Sequence, residues 1–413
     1  MRDMLLGLDP GDYDVATSAS ADLVQELFPR TVGVGAKFGV VKVLGNVADT
    51  EVATFRRDGA YLDHRHPVEV SFSDARGDAS RRDFTINGMF LDPFTGEVTD
   101  YVGGREDLRA GKIRAIGDPD ERFEEDRLRL LRAVRFAARF GFEIESRTWQ
   151  SIRALASTIT EIAWERIGEE IVKILGDGGA SRGFRLLGES NLLEAVLPEV
   201  ASMRGVEQPS EHHPEGDVFV HTLSCLEKLE PDRHDSDLGL AVLLHDVGKP
   251  ASASRSPEGR IRFHGHAEVG ADMSQEVCRR LRRSRATADK VSWLVRNHLR
   301  HFEVQKMRPA KLKRLLAEPW IESLLELIRI DALSGSGDLS RWQYCVEQLA
   351  LLRQEKNSVT ALLRGRDLLE LGYAPGPSFQ AMLDSAFDAQ LEGEFETLAE
   401  ARDWIAERYP VGS

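Results

Sequence analysis

The chain has 413 residues, of which 42% are hydrophobic and 30% charged, which is enough for two to four domains with buried cores. Its three cysteines are widely spaced and no run of about eighteen apolar residues occurs. This excludes a disulfide framework and a membrane partner, so we expect a cytoplasmic protein. The net charge of −14 does not exclude nucleic acid, because phosphate binds to local basic patches.

The first hundred residues favour a mixed α/β fold, and the remainder favours helices. β-branched runs predict strands at 32–44, 51–55 and 68–72, and Ser20 is a candidate N-cap for a helix over Ala21–Phe28. A short helix is predicted over Phe84–Met89 and a hairpin over Met89–Thr99. From Glu121 onward the apolar spacing becomes helical, with one amphipathic helix that ends near Gly141.

Asp12 and Asp14 are two residues apart on a predicted strand, so their side chains point to the same side. Such a pair can hold two Mg²⁺ ions about 3.5–4 Å apart, as phosphoryl-transfer sites require. Glu51, which begins the strand over 51–55, is the candidate for a third catalytic carboxylate, or else an ordinary acid at a strand edge. A surface turn also accounts for two nearby acids, so this motif alone is weak evidence.

Two further charged motifs follow. Arg81, Arg82 and Asp83 precede the short helix, where an arginine can bind a triphosphate or form a surface ion pair. Asp126 and Arg129 are three residues apart on a predicted helix and can face one ligand. Cytosine and adenine each present an amine donor beside a ring-nitrogen acceptor, whereas uracil and guanine present the reverse. The pair can therefore select C and A, although such pairs are commonly helix salt bridges.

Arginines and lysines are concentrated in two stretches. The first, residues 127–139, carries five arginines and no acid, and the spacing of Arg129, Arg132 and Arg135 favours one shared helix face. The second, residues 279–314, is either a solvated helix face or a surface for RNA.

A second group of candidate ligands occurs later in the chain. It comprises His221, the adjacent pair His245 and Asp246, one of His264 and His266, then His298 and Asp331. Imidazole and carboxylate ligands together suit Mg²⁺, Mn²⁺ or a transition metal with open positions for water and phosphate. Lys249 follows closely and is a candidate phosphate contact.

The motifs of the first half resemble those of the class II CCA-adding tRNA nucleotidyltransferases and the bacterial poly(A) polymerases. The match rests on the sequences RRDFTIN at 81–87 and EDRLRLLRAVRFAARFG at 125–141, with the acidic pair before them. The resemblance implies an α+β polymerase-β-like head with a mixed sheet, followed by all-α domains. It also implies that Asp12 and Asp14 hold Mg²⁺. The residues implied to contact CTP or ATP are Arg2, Arg82, Asp126, Arg129, Arg132 and Arg135.

The second half resembles an HD phosphohydrolase domain over about 215–340. This implies one metal at His221, His245, Asp246 and Asp331 and a second at His266 and His298. The sequence around Gly365 and Pro375 resembles the tRNA-binding tail of these enzymes. Four domains are therefore predicted: a head at 1–110, a neck and body that select the base and bind RNA at 111–210, the HD domain at 211–350 and a tail at 351–413.

One family motif is incomplete. A Gly-Gly-x-Val sequence should precede Arg2 and Asp3, but Met1 stands in the valine position. Because those glycines let the backbone approach a triphosphate, we expect that the start was assigned too late and that residues upstream are missing.

The predicted function is template-independent addition of CCA to tRNA 3′ ends from CTP and ATP. Alternatives are a poly(A) polymerase, an enzyme that adds only CC or only A, and an RNA-end phosphohydrolase whose transferase half is inactive. The oligomeric state, the HD substrate and the HD metal stay open.

Overall fold

The computed structural model describes residues 1–11, 13–35, 39–45, 48–59, 70–209, 216–230, 233–257, 259–354 and 360–410. They form two compact units. The first comprises Met1–Gly205, Thr222–Leu240 and Glu276–Arg285, and the second comprises Val206–His221, Ala241–Gln275 and Ala286–Ser413. Among the described residues, no helix is both long and apolar enough to cross a bilayer.

The first unit begins with a four-stranded mixed sheet of order β1-β4-β3-β2. Strand β1 runs parallel to β4, whereas β3 is antiparallel to both of its neighbours. Ser20 caps α2 by accepting from the backbone N–H of Leu23, as predicted. The elements of this region are α1 (Arg2–Leu5), β1 (Asp14–Thr17), α2 (Ala21–Leu27), β2 (Thr31–Gly35), β3 (Val40–Val43), β4 (Thr50–Thr54), β5 (Arg56–Asp58), β6 (Val70–Phe72) and α3 (Ala75–Ser80).

The RRDFTIN motif lies between α3 and a hairpin. The predicted helix over Phe84–Met89 is wrong: only a 3₁₀ turn, Thr85–Asn87, forms, because Phe84 is extended and bridges to Ala115. The predicted hairpin is present, and Asp92 accepts from the N–H groups of Phe94 and Thr95 in its turn. The elements here are β7 (Met89–Leu91), β8 (Val98–Asp100), α4 (Gly104–Ala110) and β9 (Lys112–Ile113).

The elements that follow β9 are mostly helices. The central one is α6, which is buried along Leu130, Leu131 and Val134, packs against α8 and α9, and ends at Gly141 with φ 68°. The elements are α5 (Pro119–Glu125), α6 (Leu128–Phe140), β10 (Glu143–Ile144), α7 (Ser146–Leu155), a 3₁₀ helix (Ala156–Glu161), α8 (Trp164–Gly176), α9 (Ala180–Glu189), α10 (Leu192–Val196) and α11 (Pro198–Ala201).

The rest of the chain is almost entirely helical. Its last part has a small core of its own around Leu368, Tyr373 and Ile405. The elements are α12 (Val218–Leu226), α13 (Ser236–Leu244), α14 (Lys249–Ser252), β11 (Ser254–Arg255), β12 (Ile261–Arg262), α15 (His266–Arg280), α16 (Arg285–Asn297), 3₁₀ helices (His298–Phe302 and Val304–Lys306), α17 (Pro309–Leu316), α18 (Ile321–Ser334), α19 (Ser340–Gln354), α20 (Gly365–Glu370), α21 (Pro377–Glu392) and α22 (Leu398–Arg408). A mixed sheet followed by helices agrees with the predicted α+β fold class.

Two glycines of α8 differ in their surroundings. A Cβ on Gly168 would overlap the carbonyl oxygen of Leu281, whereas a Cβ on Gly176 would meet none of the described atoms within 4 Å. We expect Gly168→Ala to lower the free energy of unfolding by about 1–3 kcal/mol, since backbone must move to admit the methyl group. Gly176→Ala is the matched control and should raise it by about 0.5–1 kcal/mol through helix propensity. Urea denaturation measures both, and equal effects would contradict the close approach at Gly168.

Candidate active sites

The acidic edge of the head sheet brings two of the three predicted catalytic carboxylates together. Asp14 on β1 lies directly opposite Glu51 on β4, in register on neighbouring parallel strands, and both are exposed. Residues in register on adjacent strands project from the same face of a sheet. This arrangement is suited to a hard divalent cation. Asp12 lies outside the described residues.

The Asp83 carboxylate joins the RRDFTIN motif to α6. It accepts two hydrogen bonds from Arg132, from Nε at 2.8 Å and Nη2 at 2.7 Å. The Asp83 carboxylate also accepts from the Asn87 side chain at 2.9 Å and from the backbone N–H of Phe84 at 2.8 Å. Burial opposes ionisation, but Arg132 and these hydrogen bonds lower the pKa of Asp83 to about 2. The carboxylate is therefore charged and fixed, which orients Arg132.

Arg82, a predicted nucleotide contact, is held at one edge of the same motif. It forms hydrogen bonds to the buried carboxylate of Asp78 at 3.1 and 3.2 Å and donates to the Asn87 carbonyl at 2.9 Å. Its guanidinium lies 4.6 Å from the ring centre of Phe90. These contacts fix the side chain while 31% of it stays accessible, as an anion-binding residue requires.

Arg2, another predicted nucleotide contact, forms hydrogen bonds with other side chains of the protein. Its Nη1 donates to Asn87 at 2.5 Å and its Nε to Asp3 at 2.7 Å. The guanidinium also stacks on Phe136 and Phe140 at 4.8 and 4.7 Å from their ring centres. Arg2 thereby ties α1 to the RRDFTIN motif and to α6.

Asp126 and Arg129 do not share one helix, so that premise of the prediction is wrong. Asp126 ends α5 in an extended conformation, and Arg129 belongs to α6. The Asp126 carboxylate accepts from the backbone N–H of Leu128, the first residue of α6, at 3.1 Å. Arg129 pairs with Glu125 at 2.8 Å and reaches the Arg81 carbonyl at 3.3 Å. Both residues nevertheless lie at the α5–α6 junction, next to the RRDFTIN motif.

Helix α8 supplies partners that the sequence did not predict. Arg166 donates to Asp126 at 2.8 Å, and Glu170, only 1% exposed, accepts from Nε of Arg135 at 2.7 Å. Asp177, just after the helix, accepts from Arg135 at 2.8 Å. The i,i+4 spacing of Arg166 and Glu170 on a predicted helix was the available signal. It shows that both charges share a face, but not which residues they meet.

The second cluster lies within the second compact unit and contains all the histidines and acids predicted for it. His221 Nε2 lies 3.0 Å from Asp331, and Asp246 lies 3.2 Å from His245 and 3.4 Å from His266. His266, not the exposed His264, joins the cluster. Two ligand groups result, each with its ligand atoms within 4.8 Å of one another: one contains His221, His245 and Asp331, the other Asp246, His266 and His298.

Three histidines of this cluster are fixed in one tautomer. The Nδ1 atoms of His245, His266 and His298 lie 2.8, 2.8 and 2.6 Å from backbone carbonyl oxygens. A carbonyl can only accept, so Nδ1 carries the proton and Nε2 presents its lone pair. The Nε2 atom of His266 is buried and has no hydrogen-bond partner among the described groups. Orientation of histidine ligands by such bonds is typical of metal sites, so these residues fit a divalent metal.

The charges of the cluster also suit a metal. Burial opposes ionisation of Asp246, but the Lys249 ammonium at 2.7 Å holds its pKa well below the usual range. Lys249 donates in addition to Gln208 at 2.6 Å. Burial lowers the pKa of His298 to about 3, so its ring is neutral and able to coordinate at physiological pH.

Sequence reasoning missed His301. It lies one turn after His298, is 7% exposed and points its Nδ1 at the His298 carbonyl at 2.8 Å. The spacing His298-x-x-His301 was visible in the sequence, but it does not tell a ligand from a neighbour of one.

Family models match three parts of the chain. They are the Poly A polymerase head domain at residues 1–114, the probable RNA- and SrmB-binding site of polymerase A at 141–204, and the HD domain at 218–335. Together with the acidic sheet edge, the arginine-rich helix α6 and the cluster of histidines and acids, these matches define a nucleotidyltransferase with an HD domain. Enzymes of both classes generally use divalent metals, and the chain has candidate ligands for them.

Similarity to known proteins identifies the family within this class of enzymes. An A-adding tRNA nucleotidyltransferase of Deinococcus radiodurans is 32% identical over 98% of this chain and 93% of its own. The chain therefore belongs to the CCA-adding and A-adding tRNA nucleotidyltransferases. A CCA-adding enzyme of Geobacillus stearothermophilus is 43% identical, but the match spans about half of each protein, 49% of this chain and 50% of that one.

Solved structures with similar folds agree with this family assignment. The Bacillus stearothermophilus CCA-adding enzyme in complex with CTP matches with a TM-score of 0.72 at 27% identity, over 98% of this chain and 91% of that one. The Thermotoga maritima CCA-adding enzyme complexed with tRNA has a TM-score of 0.58 at 20% identity, over 98% and 89%, and shares the fold. The predicted family and fold class are thus confirmed.

The contacts of Asp83 predict a pH-dependent contribution to stability. Asp83→Asn leaves Arg132 without its charged partner, so we expect the free energy of unfolding at pH 7 to fall by about 3 kcal/mol. The native pKa of Asp83, about 2, lies below the usual 3.8. The difference in stability between wild type and Asp83→Asn is therefore complete above pH 3.8 and disappears as the pH falls through 2.

Urea denaturation of wild type and variant across this pH range measures the difference. Asp22→Asn, at an exposed acid of α2, is the control and should cost no more than about 0.5 kcal/mol. An Asp83→Asn cost that is small, or the same at pH 7 and pH 2, would contradict the role of the pair.

Proposed function

We propose that this protein adds C, C and A to tRNA 3′ ends from CTP and ATP with Mg²⁺ as its metal, in the cytoplasm. The supporting observation is the link between the predicted base-reading and triphosphate-binding groups. Arg132 binds Asp83, and Arg129 reaches the Arg81 carbonyl, so both groups belong to one fixed assembly. The similarity to the CTP complex of a relative fits this assignment.

Each group then has a task. Asp14 and Glu51, with Asp12, would hold Mg²⁺, and the ion would supply Lewis-acid activation of the tRNA 3′-hydroxyl and charge stabilisation of the departing pyrophosphate. The hydroxyl oxygen attacks the α-phosphorus and the bond to the β-phosphate oxygen breaks. Arg82 would bind the triphosphate. Asp126 would accept a hydrogen bond from the exocyclic amine of C or A. The carboxylate oxygens still have free lone pairs after their hydrogen bonds to Leu128 and Arg166.

The remaining residues that were predicted to contact the nucleotide would fix the shape of the nucleotide-binding pocket. Arg129 would donate to the ring nitrogen of the base, while Arg132 and Arg135 hold α6 against Asp83 and Glu170. Arg2 would act by fixing Asn87 of the RRDFTIN motif. Within this assignment the head is 1–110, the neck and body 111–210, the HD domain 211–350 and the RNA-binding tail 351–413.

Addition of the final A alone is the second candidate. It is favoured by the match along nearly the whole chain to the A-adding enzyme of Deinococcus radiodurans, whereas the match to the CCA-adding enzyme of Geobacillus stearothermophilus spans half of that protein. Because cytosine and adenine share the donor and acceptor pattern that Asp126 and Arg129 read, these residues do not separate the two reactions.

The HD domain is proposed to hydrolyse phosphate esters at RNA ends. His221, His245, Asp246 and Asp331 would hold one divalent metal, and His266 and His298 a second, with Asp246 close to both groups. The metals would supply a hydroxide nucleophile at neutral pH. Lys249 would keep Asp246 ionised and in place.

Nucleotide incorporation tests the transferase. We expect the full chain to add two C and one A to a tRNA ending at the discriminator base, with CTP and ATP labelled separately. Asp14→Asn should lower kcat about 100- to 1,000-fold, because metal binding supplies several kcal/mol. Asp126→Ala should raise the use of UTP and GTP relative to CTP and ATP, because it removes the acceptor that rejects them.

Asp9→Asn, at an exposed acid near the same strand, is the control and should act like wild type. Addition of A only to a tRNA that already ends in CC would select the second candidate. Full activity of Asp14→Asn would contradict the metal site.

Hydrolysis of an RNA 2′,3′-cyclic phosphate tests the HD domain. His266→Ala should lower kcat about 100-fold or more, since a metal ligand is lost, while nucleotide addition stays unchanged. His264→Ala is the matched control, because His264 is exposed two residues away. EDTA should abolish hydrolysis, and Mg²⁺, Mn²⁺ or Ni²⁺ added singly should identify the metal that restores it. Equal hydrolysis by the two variants would refute the proposed ligand set.

A further inference from the structure

The 3₁₀ helix His298–Phe302 joins a buried residue of the histidine cluster to an exposed aromatic ring. It begins at a buried candidate metal ligand, His298, which is 1% exposed, and ends four residues later at Phe302, which is 53% exposed. An aromatic ring left in water costs free energy that a buried position would recover. Exposed apolar side chains are common in this protein, but Phe302 differs in lying four residues from a candidate metal ligand.

Phe302 is held in place by its neighbours. The His301 ring lies 4.0 Å from it, centre to centre, with the planes tilted by 38°. His301 is itself fixed by its hydrogen bond to the His298 carbonyl. The aromatic side chain is thus anchored to the metal cluster through two consecutive short contacts.

A positive charge lies over the same ring. The Arg341 guanidinium is 4.9 Å from the ring centre of Phe302. Arg341 lies in the first turn of α19, and the 3₁₀ helix packs against both α19 and α18, the helix that carries Asp331. A planar guanidinium and a phenyl ring therefore adjoin the cluster together.

Such a pair suits the chemistry of the cluster. The cluster contains two carboxyl groups, Asp246 and Asp331, and the ammonium of Lys249 is engaged by Asp246 and Gln208 at 2.7 and 2.6 Å. A phosphate ester that approaches these acids benefits from a further cation, and arginine binds phosphate oxygens in pairs. Exposed aromatic rings and guanidinium planes are the surfaces on which nucleobases stack.

We propose that Phe302 and Arg341 form a nucleotide-binding subsite of the HD domain, in which Phe302 stacks on the base and Arg341 binds the phosphate of a ribonucleotide ester. This rests on the proposed phosphohydrolase function and adds to it a preference for nucleoside esters over other phosphate esters. The subsite belongs to substrate binding, so its residues affect KM more than kcat.

Two substrates separate stacking from phosphate binding. Adenosine 2′,3′-cyclic monophosphate has a base, and glycerol 1,2-cyclic phosphate has the same cyclic ester without one. Phe302→Leu should raise KM about tenfold for the adenosine ester and leave KM for the glycerol ester unchanged. Arg341→Gln should raise KM about tenfold for both esters. Arg300→Gln, at an exposed arginine of the same 3₁₀ helix, is the control and should match wild type.

The outcomes are distinguishable. Unchanged KM values in Phe302→Leu and Arg341→Gln, with wild type hydrolysing both esters, would overturn the subsite. An equal rise for both esters in Phe302→Leu, or a loss of bound metal, would also overturn it, because a purely structural role has that effect.

If wild type hydrolyses neither ester with any metal, the proposed phosphohydrolase function fails. Calorimetric titration of the full chain with adenosine 2′-monophosphate then decides the subsite separately. Weaker binding by both variants than by wild type supports it, and equal binding rejects it.

Discussion

The transferase half depends on a buried carboxylate that has to stay charged. Asp83 follows two arginines in a motif that forms only a 3₁₀ turn, so the motif has little regular structure to hold its shape. The carboxylate provides that shape: it binds Arg132 of α6, the Asn87 side chain and the Phe84 backbone at once. A buried charge is costly unless it is paired and hydrogen-bonded, and this one is both. The cost of breaking the arrangement is what keeps the RRDFTIN motif and α6 in one geometry.

The same principle recurs along α6. Its arginines do not project freely toward solvent; Arg132 and Arg135 are each held by acids, chiefly Asp83 and Glu170. Phe136 lies among them, with the Arg2, Arg132 and Arg135 guanidinium groups 4.8, 5.2 and 4.4 Å from its ring centre. Fixed guanidinium groups lose less conformational entropy when a ligand binds, so a rigid arginine face suits discrimination between nucleobases.

The HD cluster uses buried charge differently. Around Asp83 the positive partner is a protein side chain, and the site is complete without a ligand. Around Asp246 the Nδ1 atoms of His245 and His266 are held by backbone carbonyls, which turns Nε2 of each ring toward the cluster, while Lys249 supplies one positive charge. Two carboxylates, four imidazoles and one ammonium therefore gather where a divalent cation would complete the balance of charge. The first site stabilises the fold, whereas the second is arranged for a metal.

The sequence by itself determined the order of the motifs, the change from a mixed sheet to helices, and which residue types could hold metals or bases. These follow from local rules: alternation in strands, helical spacing, and the ligand chemistry of side chains. Only the tertiary structure decided that Asp126 ends one helix while Arg129 belongs to the next, that His266 rather than His264 joins the cluster, and that Arg166 and Glu170 bind Asp126 and Arg135. Those outcomes depend on contacts between residues up to 40 positions apart, as for Asp126 and Arg166, which no local pattern encodes.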